Sequence, residues 1–263
     1  MPFITNCGTR IHYEVDGSGP PLVLQHSLVR SLEAWYDYGY AQELRLDHRL
    51  VLIDARGHGA SDKPHDPAAY APHLRAADVV AVLDDLGIDQ AHYMGYSMGA
   101  RIGFSMIAYA LPRVRSLILG GMSPYHTAAE AQFQMQLRQS LEMGMEAYVA
   151  NAERIHGPYP PEVRARQLAN DAQALLAAIA AASDPSQPPV DWDRLLPTMT
   201  VPCLVYAGSA DPFYAGAAKC AGLMPNTEFV PLPGLDHREA LVRSDLVLPH
   251  VRNFLASLGQ GPA

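Results

Sequence analysis

The pentapeptide Gly95-Tyr96-Ser97-Met98-Gly99 sets a hydroxyl between two glycines. It follows the strand-like run Ala91–Met94 and precedes the helix-like run Ala100–Ile107. In that setting Gly-x-Ser-x-Gly makes a sharp turn that lifts the serine hydroxyl clear of a sheet, and the residues two positions away on either side must be small for the turn to close. Gly95 and Gly99 meet that need, and Gly103, one helical turn later, lets the helix lie close to the strands. The pentapeptide alone is a weak signal in a chain with 20 glycines. Its flanking strand and helix patterns are what give it a mechanical meaning.

A serine hydroxyl is a poor nucleophile at neutral pH. It needs a base to take its proton, and the base needs an acceptor to orient it. For a serine on such a turn the partners follow along the chain as acid, then histidine. Asp211 comes just after the apolar run Cys203–Ala207, and His237 comes after Glu228–Val230 through the loop Pro231–Asp236. The loop after the preceding strand, Gly120–Pro124, has no carboxylate, so Asp211 has no rival there, and Asp236 reads as a loop residue. An acyl-transfer intermediate also needs two aligned N–H donors. The Met98 amide, at a helix N-terminus where the dipole favours negative charge, is one. The loop Gln25–Leu28 should supply the other.

Strands and helices must alternate to bring these residues to one edge. Leu22–Gln25, Leu50–Ile53, Val114–Leu119 and Cys203–Ala207 are short apolar runs of the kind buried on both faces of a parallel sheet. Arg10–Asp16 alternates and meets the turn Gly17–Pro21, as in an antiparallel edge hairpin. Tyr70–Leu86 has a helical apolar period, with Gly87 as its stop signal. Between about Tyr125 and Leu196 no strand pattern occurs; helices are expected over Ala128–Met143, Met145–His156 and Glu162–Ala182. After the strand Glu228–Val230 a closing helix is expected over Glu239–Leu258. The reading is an α/β core from residues 1–124 and 197–263, with residues 125–196 as a helical cap over the edge where open α/β sheets bind ligands.

Composition bounds the rest. A 49% hydrophobic content supports a sizeable core, and no apolar run is long enough for a membrane span. Met1–Asn6 lacks the basic start and apolar stretch of a signal peptide. Cys7, Cys203 and Cys220 are odd in number and widely spaced, which suggests reduced thiols and a cytoplasmic protein. A net charge of −8 without a basic cluster argues against nucleic acid as a partner. His26 and His58 lie outside any metal-ligand spacing, so no metal or other cofactor is expected, and they read as loop-ordering hydrogen-bond donors.

Taken together, the elbow at Ser97, the segment Asp54-Ala55-Arg56-Gly57-His58-Gly59-Ala60-Ser61-Asp62, Asp211 and His237 resemble the α/β-hydrolase superfamily over nearly the whole chain. The resemblance implies an eight-stranded, mostly parallel sheet flanked by helices. It implies Ser97 as nucleophile, His237 as base and Asp211 as its orienter, with the Leu28 and Met98 amides holding the oxyanion. The family's usual oxyanion-loop glycine is Ser27 here, within His26-Ser27-Leu28. Ser at the elbow, where Asp would stand, argues against haloalkane dehalogenase and epoxide hydrolase relatives. The substrate expected is a small, largely apolar ester or lactone, in a pocket walled by Ser27, Trp35, Tyr36, Tyr96, Met122, Tyr125 and Phe213 with Phe133 and Met143 from the cap. The protein itself is expected to be a monomer or homodimer. Two alternatives stay open. One is a carbon–carbon bond hydrolase of the ring-cleavage type, for which Arg30, Arg101 or Arg138 would meet an acidic substrate. The other is a slow-turnover ligand-sensing receptor on the same fold.

Overall fold

Eight strands form one sheet: β1 (Phe3–Asn6), β2 (Thr9–Asp16), β3 (Pro21–Gln25), β4 (Arg49–Ile53), β5 (Ala91–Tyr96), β6 (Val114–Gly120), β7 (Cys203–Gly208) and β8 (Thr227–Leu232). They lie in the order β1-β2-β4-β3-β5-β6-β7-β8. β2 runs antiparallel to both of its neighbours, and every other pairing is parallel. This computed structural model describes residues 2–125, 127–182 and 189–258.

The apolar runs are strands because both of their faces are covered. Val23, Val51, Tyr93, Leu117, Leu119 and Val205 pack on one face, against the helices Pro72–Asp85, Met98–Tyr109 and Tyr214–Leu223. Their alternates Leu22, Leu24, Leu50, Leu52, Met94, Ile118 and Leu204 pack on the other, against Tyr40–Leu44 and Ser244–Leu258. Successive side chains of a strand point to opposite faces, so a strand buried on both sides reads as continuously apolar.

Several boundaries differ from expectation, each for a local reason. The hairpin partner of β2 is β1, through the turn at Cys7 and Gly8, both at positive φ; the turn after Asp16 leads instead into β3. The helix expected from Tyr70 starts at Pro72, because proline suits the first helical turn and holds the residue before it extended, here Ala71 at ψ 143°. Glu162–Ala182 is two helices, Pro161–Leu168 and Ala172–Ala182. Asp171 divides them: its Oδ1 accepts the amides of Gln173 and Ala174, capping the second helix. The closing helix is likewise Glu239–Val242 followed by Ser244–Leu258, broken where Arg243 leaves helical geometry.

The four helices between β6 and the last short turns before β7 pack onto the loop after β3. Val29 is buried in that loop at φ 65°, a strained conformation for a β-branched residue, and belongs to one apolar cluster with Leu141, Met145 and Leu175. Asn170 Nδ2 donates to the Val29 carbonyl oxygen at 3.2 Å, tying the break between two helices to the same loop.

Candidate active site

The chain passes from β3 to β4 on one side and then crosses to β5 on the other, and the crevice opened by such a reversal lies at the C-terminal strand ends. Gln25 is in register with Gly95, so the loop from His26 begins beside Ser97. Ser97 has φ 54° and ψ −113°, a strained backbone held by its amide donating to Gly120 O at 2.8 Å. The glycines are required by contact. A Cβ on Gly95 would meet the Gly99 backbone at 2.4 Å, and one on Gly99 would stand 2.0 Å from Gln25 O.

His237 arrives from the loop after β8. Tyr96 Oη donates to His237 O at 2.6 Å, and Ser209 Oγ accepts the Gly234 amide at 2.8 Å. Gly208 lets this loop close on the end of β7, since a Cβ there would lie 2.1 Å from Leu235 O. His237 Nε2 is 2.9 Å from Ser97 Oγ, and His237 Nδ1 is 2.8 Å from Asp211 Oδ2. A carboxylate only accepts, so the ring proton sits on Nδ1 and the Nε2 lone pair faces the serine. Asp211 is buried, and its Oδ1 accepts the Phe213 amide at 2.9 Å. The rings of Tyr96, Phe133 and Phe213 surround the imidazole at centroid distances of 5.4, 5.3 and 4.9 Å, leaving its side chain 17% exposed.

The loop carrying Leu28 is anchored by histidines that do no proton transfer. His26 Nε2 accepts the Ala55 amide at 3.1 Å, so its proton is on Nδ1, which donates to Ser27 O at 2.8 Å. Burial lowers the His26 pKa and pushes that of His58 down to about 3, so both rings are neutral. Beneath them Asp54 accepts the amides of Leu32 and Ala60 and lies 2.8 Å from His12 Nδ1. Arg56 holds Asp78 through two hydrogen bonds of 2.6 Å. The segment Asp54–Asp62 is thus bonded into the scaffold.

Ser97 lies where two chambers meet. One has a volume of about 330 Å³, the other about 70 Å³, and Leu28, Ser97, Phe133 and Leu137 border both. Ser27 and Tyr96 line the larger; Met98, Met122 and Phe213 line the smaller. Trp35 is elsewhere, buried under the opposite face of the sheet edge-on to Tyr40. Tyr36 reaches Asp16, Tyr125 bonds Asp193 beneath Lys219, and Met143 is exposed. These four large side chains looked like pocket walls, but packing directs them elsewhere. The surface of the larger chamber is mostly apolar, but Arg30, Gln136, Ser140, Asn151, His156 and Arg238 also line it, along with Tyr148 and Tyr159. Of these the sequence alone points only to Arg30: for Gln136, Ser140, Tyr148, Asn151 and His156, which face of a helix looks inward is not written in its period, and Tyr159 and Arg238 sit in loops that have none. Arg101 lines the smaller chamber with Nη2 3.0 Å from Met122 Sδ, while Arg138 is on the surface with Glu142. Among the described residues no cluster of three or more His, Cys, Asp or Glu could hold a metal, and no helix is long and apolar enough to cross a membrane.

The family model for the α/β-hydrolase fold matches residues 20–158, more than half of the chain.

The chain belongs to the α/β-hydrolase fold family.

Within this family it is 25% identical, over 94% of its length and 96% of the relative's, to a putative 2-succinyl-6-hydroxy-2,4-cyclohexadiene-1-carboxylate synthase of Bacillus subtilis. It is 27% identical to the 2-(acetamidomethylene)succinate hydrolase of Mesorhizobium japonicum, over 91% of this chain and 89% of that one. The crystal structure of the enol-lactonase from Burkholderia xenovorans superposes with a TM-score of 0.81 at 24% identity, covering 97% of this chain and all of that one, a likeness of fold.

Proposed function

We propose that this family member is a serine hydrolase that cleaves a small carboxylic ester or lactone through an acyl-enzyme on Ser97. The observation that carries this is the relay from Ser97 Oγ through the two nitrogens of His237 to Asp211, at 2.9 and 2.8 Å. Such a relay on an elbow bordering a cavity has the parts of acyl transfer.

Ser97 Oγ bonds to the substrate carbonyl carbon as its proton passes to His237 Nε2. The tetrahedral oxyanion takes hydrogen bonds from the backbone amides of Leu28 and Met98. The carbon–oxygen bond then breaks, and the leaving alkoxide takes the proton from Nε2. Water repeats the sequence on the acyl-enzyme, freeing the acid and restoring Ser97. Asp211 keeps the imidazole turned and stabilises its cation. The partner is a small molecule, seated under residues 125–196 acting as a cap. This scheme needs no cofactor.

The test is Ser97→Ala with p-nitrophenyl acetate. Turnover should fall by several orders of magnitude, with the fold retained because Ser97 Oγ bonds only His237. Near wild-type turnover in the variant would remove Ser97 from the mechanism. In wild type, continuing turnover supports an enzyme, whereas a burst of one product per protein that then stalls would favour the receptor alternative.

A further inference from the structure

Arg30 is a buried cation without a counter-charge. Only 8% of it is exposed, on the wall of the larger chamber. Its Nη1 donates to Gln167 Oε1 and its Nη2 to Tyr159 Oη at 3.1 Å, both neutral acceptors, and its Nε is buried with no partner. Arg238, next to the catalytic histidine, lines the same chamber and is also short of acceptors. Its side chain reaches the His156 carbonyl oxygen at 3.5 Å, and its Nε is buried and unpartnered. Both guanidiniums lie against the ring of Tyr159, with centroid distances of 5.5 and 5.1 Å. Among the described residues neither is paired with a carboxylate. Among the described residues one acid lines the same wall, Asp236, and it is turned to its own loop, its Oδ1 accepting the amides of Arg238 and Glu239.

Burying a cation is unfavourable unless an anion and hydrogen bonds compensate it. Here two cations share a wall, stack on one ring and keep two N–H donors unpaired. That arrangement is costly in an empty fold and favourable once an anion enters. The chamber is the space in which an anion can sit, and it is the chamber that Ser97 opens into. A planar guanidinium pairs most strongly with a planar carboxylate, and two of them on one wall can share one.

We infer that the Arg30–Tyr159–Arg238 wall is a carboxylate subsite, so that the substrate is an ester or lactone carrying a free acid at the end remote from the scissile bond. This rests on the serine-hydrolase reading above and names the substrate class for it. It also gives these two arginines, set in a mostly apolar chamber, a purpose that an apolar substrate would leave unexplained.

The test compares monomethyl adipate with methyl hexanoate, of equal chain length, in a pH-stat. In wild type kcat/KM should favour the acid by at least tenfold, and in Arg238→Gln that ratio should fall toward one, mostly through KM. Arg238 is the first choice because it is only half-buried; Arg30→Gln, checked for folding by circular dichroism, should do the same. Calorimetry on Ser97→Ala with the same two esters, which that variant cannot cleave, asks the question without turnover. Monomethyl adipate should bind at least tenfold tighter than methyl hexanoate, and Arg238→Gln placed in that background should lose the difference. Ser97-dependent hydrolysis with equal kcat/KM for the two esters would overturn the subsite while leaving the hydrolase intact. If neither ester is turned over, the reaction proposed is wrong and the binding arm alone judges the subsite: equal affinity for the two esters overturns it. Tighter binding of inorganic phosphate than of monomethyl adipate would overturn its assignment to a carboxylate.

Discussion

Asp211→Asn separates the orientation of the base from its mere presence. Asp211 Oδ1 accepts the Phe213 amide at 2.9 Å while Oδ2 faces His237 Nδ1 at 2.8 Å. An asparagine must keep its carbonyl oxygen on the buried Phe213 amide, because the reverse would set donor against donor. Its NH2 group then faces His237 Nδ1. That contact is favourable only if Nδ1 carries the lone pair, so the ring proton moves to Nε2 and points at Ser97. The base is in place but holds the wrong tautomer. In triads of this geometry that costs about 10⁴ in kcat, equivalent to roughly 5.5 kcal/mol of barrier. KM should change far less, since Asp211 does not touch the substrate chamber. The melting midpoint should stay close to wild type, since the Phe213 bond survives. The assay is steady-state hydrolysis of p-nitrophenyl acetate above neutral pH, beside a thermal melt. A folded Asp211→Asn enzyme that keeps more than a tenth of wild-type kcat would refute the reasoning and assign the histidine another partner.

Two glycines of the elbow helix should respond unequally to a methyl group. Gly99→Ala drives a Cβ to 2.0 Å from the Gln25 carbonyl, backbone that cannot yield, and should cost more than about 3 kcal/mol in urea unfolding. Gly103→Ala meets only side chains, Leu119 at 2.5 Å and the Tyr93 ring at 2.9 Å, which can shift where backbone cannot, and should cost only about 1–3 kcal/mol; equal costs would contradict the contact argument. Asp78→Ala leaves Arg56 as an unpaired buried cation and should cost about 3–5 kcal/mol by denaturant titration, a loss under 1 kcal/mol being the refuting result. The His12–Asp54 pair gives stability its own pH window. The hydrogen bond to Asp54 raises the His12 pKa against the opposing effect of burial; for Asp54 burial acts upward, but the bond from His12, the nearby His26 and the backbone amides hold the pKa down. The His12 contribution is therefore complete below the ordinary histidine pKa and is lost as pH rises through its raised value. The Asp54 contribution is complete above the ordinary carboxylate range and is lost as pH falls through its lowered value. The gap in urea midpoint between wild type and His12→Gln should thus shrink as pH is raised from about 6 toward 9, about 6.5 being the ordinary histidine value, and a constant gap would contradict this.

The amino-acid sequence by itself determined the central strands, their burial on both faces, and the order in which elbow serine, acid and histidine follow one another, but not the edge pairing of Phe3–Asn6 with Thr9–Asp16. These are local or periodic properties: Leu50–Ile53 is apolar throughout because each of its faces meets a helix layer, and Gly99 is glycine because Gln25 leaves no room for more. Sequence could set Ser97, Asp211 and His237 at strand ends, but the separations of 2.9 and 2.8 Å follow from β5, β7 and β8 sharing one sheet edge. The chamber was the least legible part. Trp35 and Tyr125 are aromatic and near the right strands, yet one packs beneath the sheet and the other turns to Asp193 and Lys219. Arg30, Tyr159 and Arg238 lie far apart in the chain and have no shared period. Only the packing of the helices between β6 and β7 onto the loop after β3 brings them to one wall, because contacts between distant segments depend on how buried faces fit and not on the spacing within any one of them.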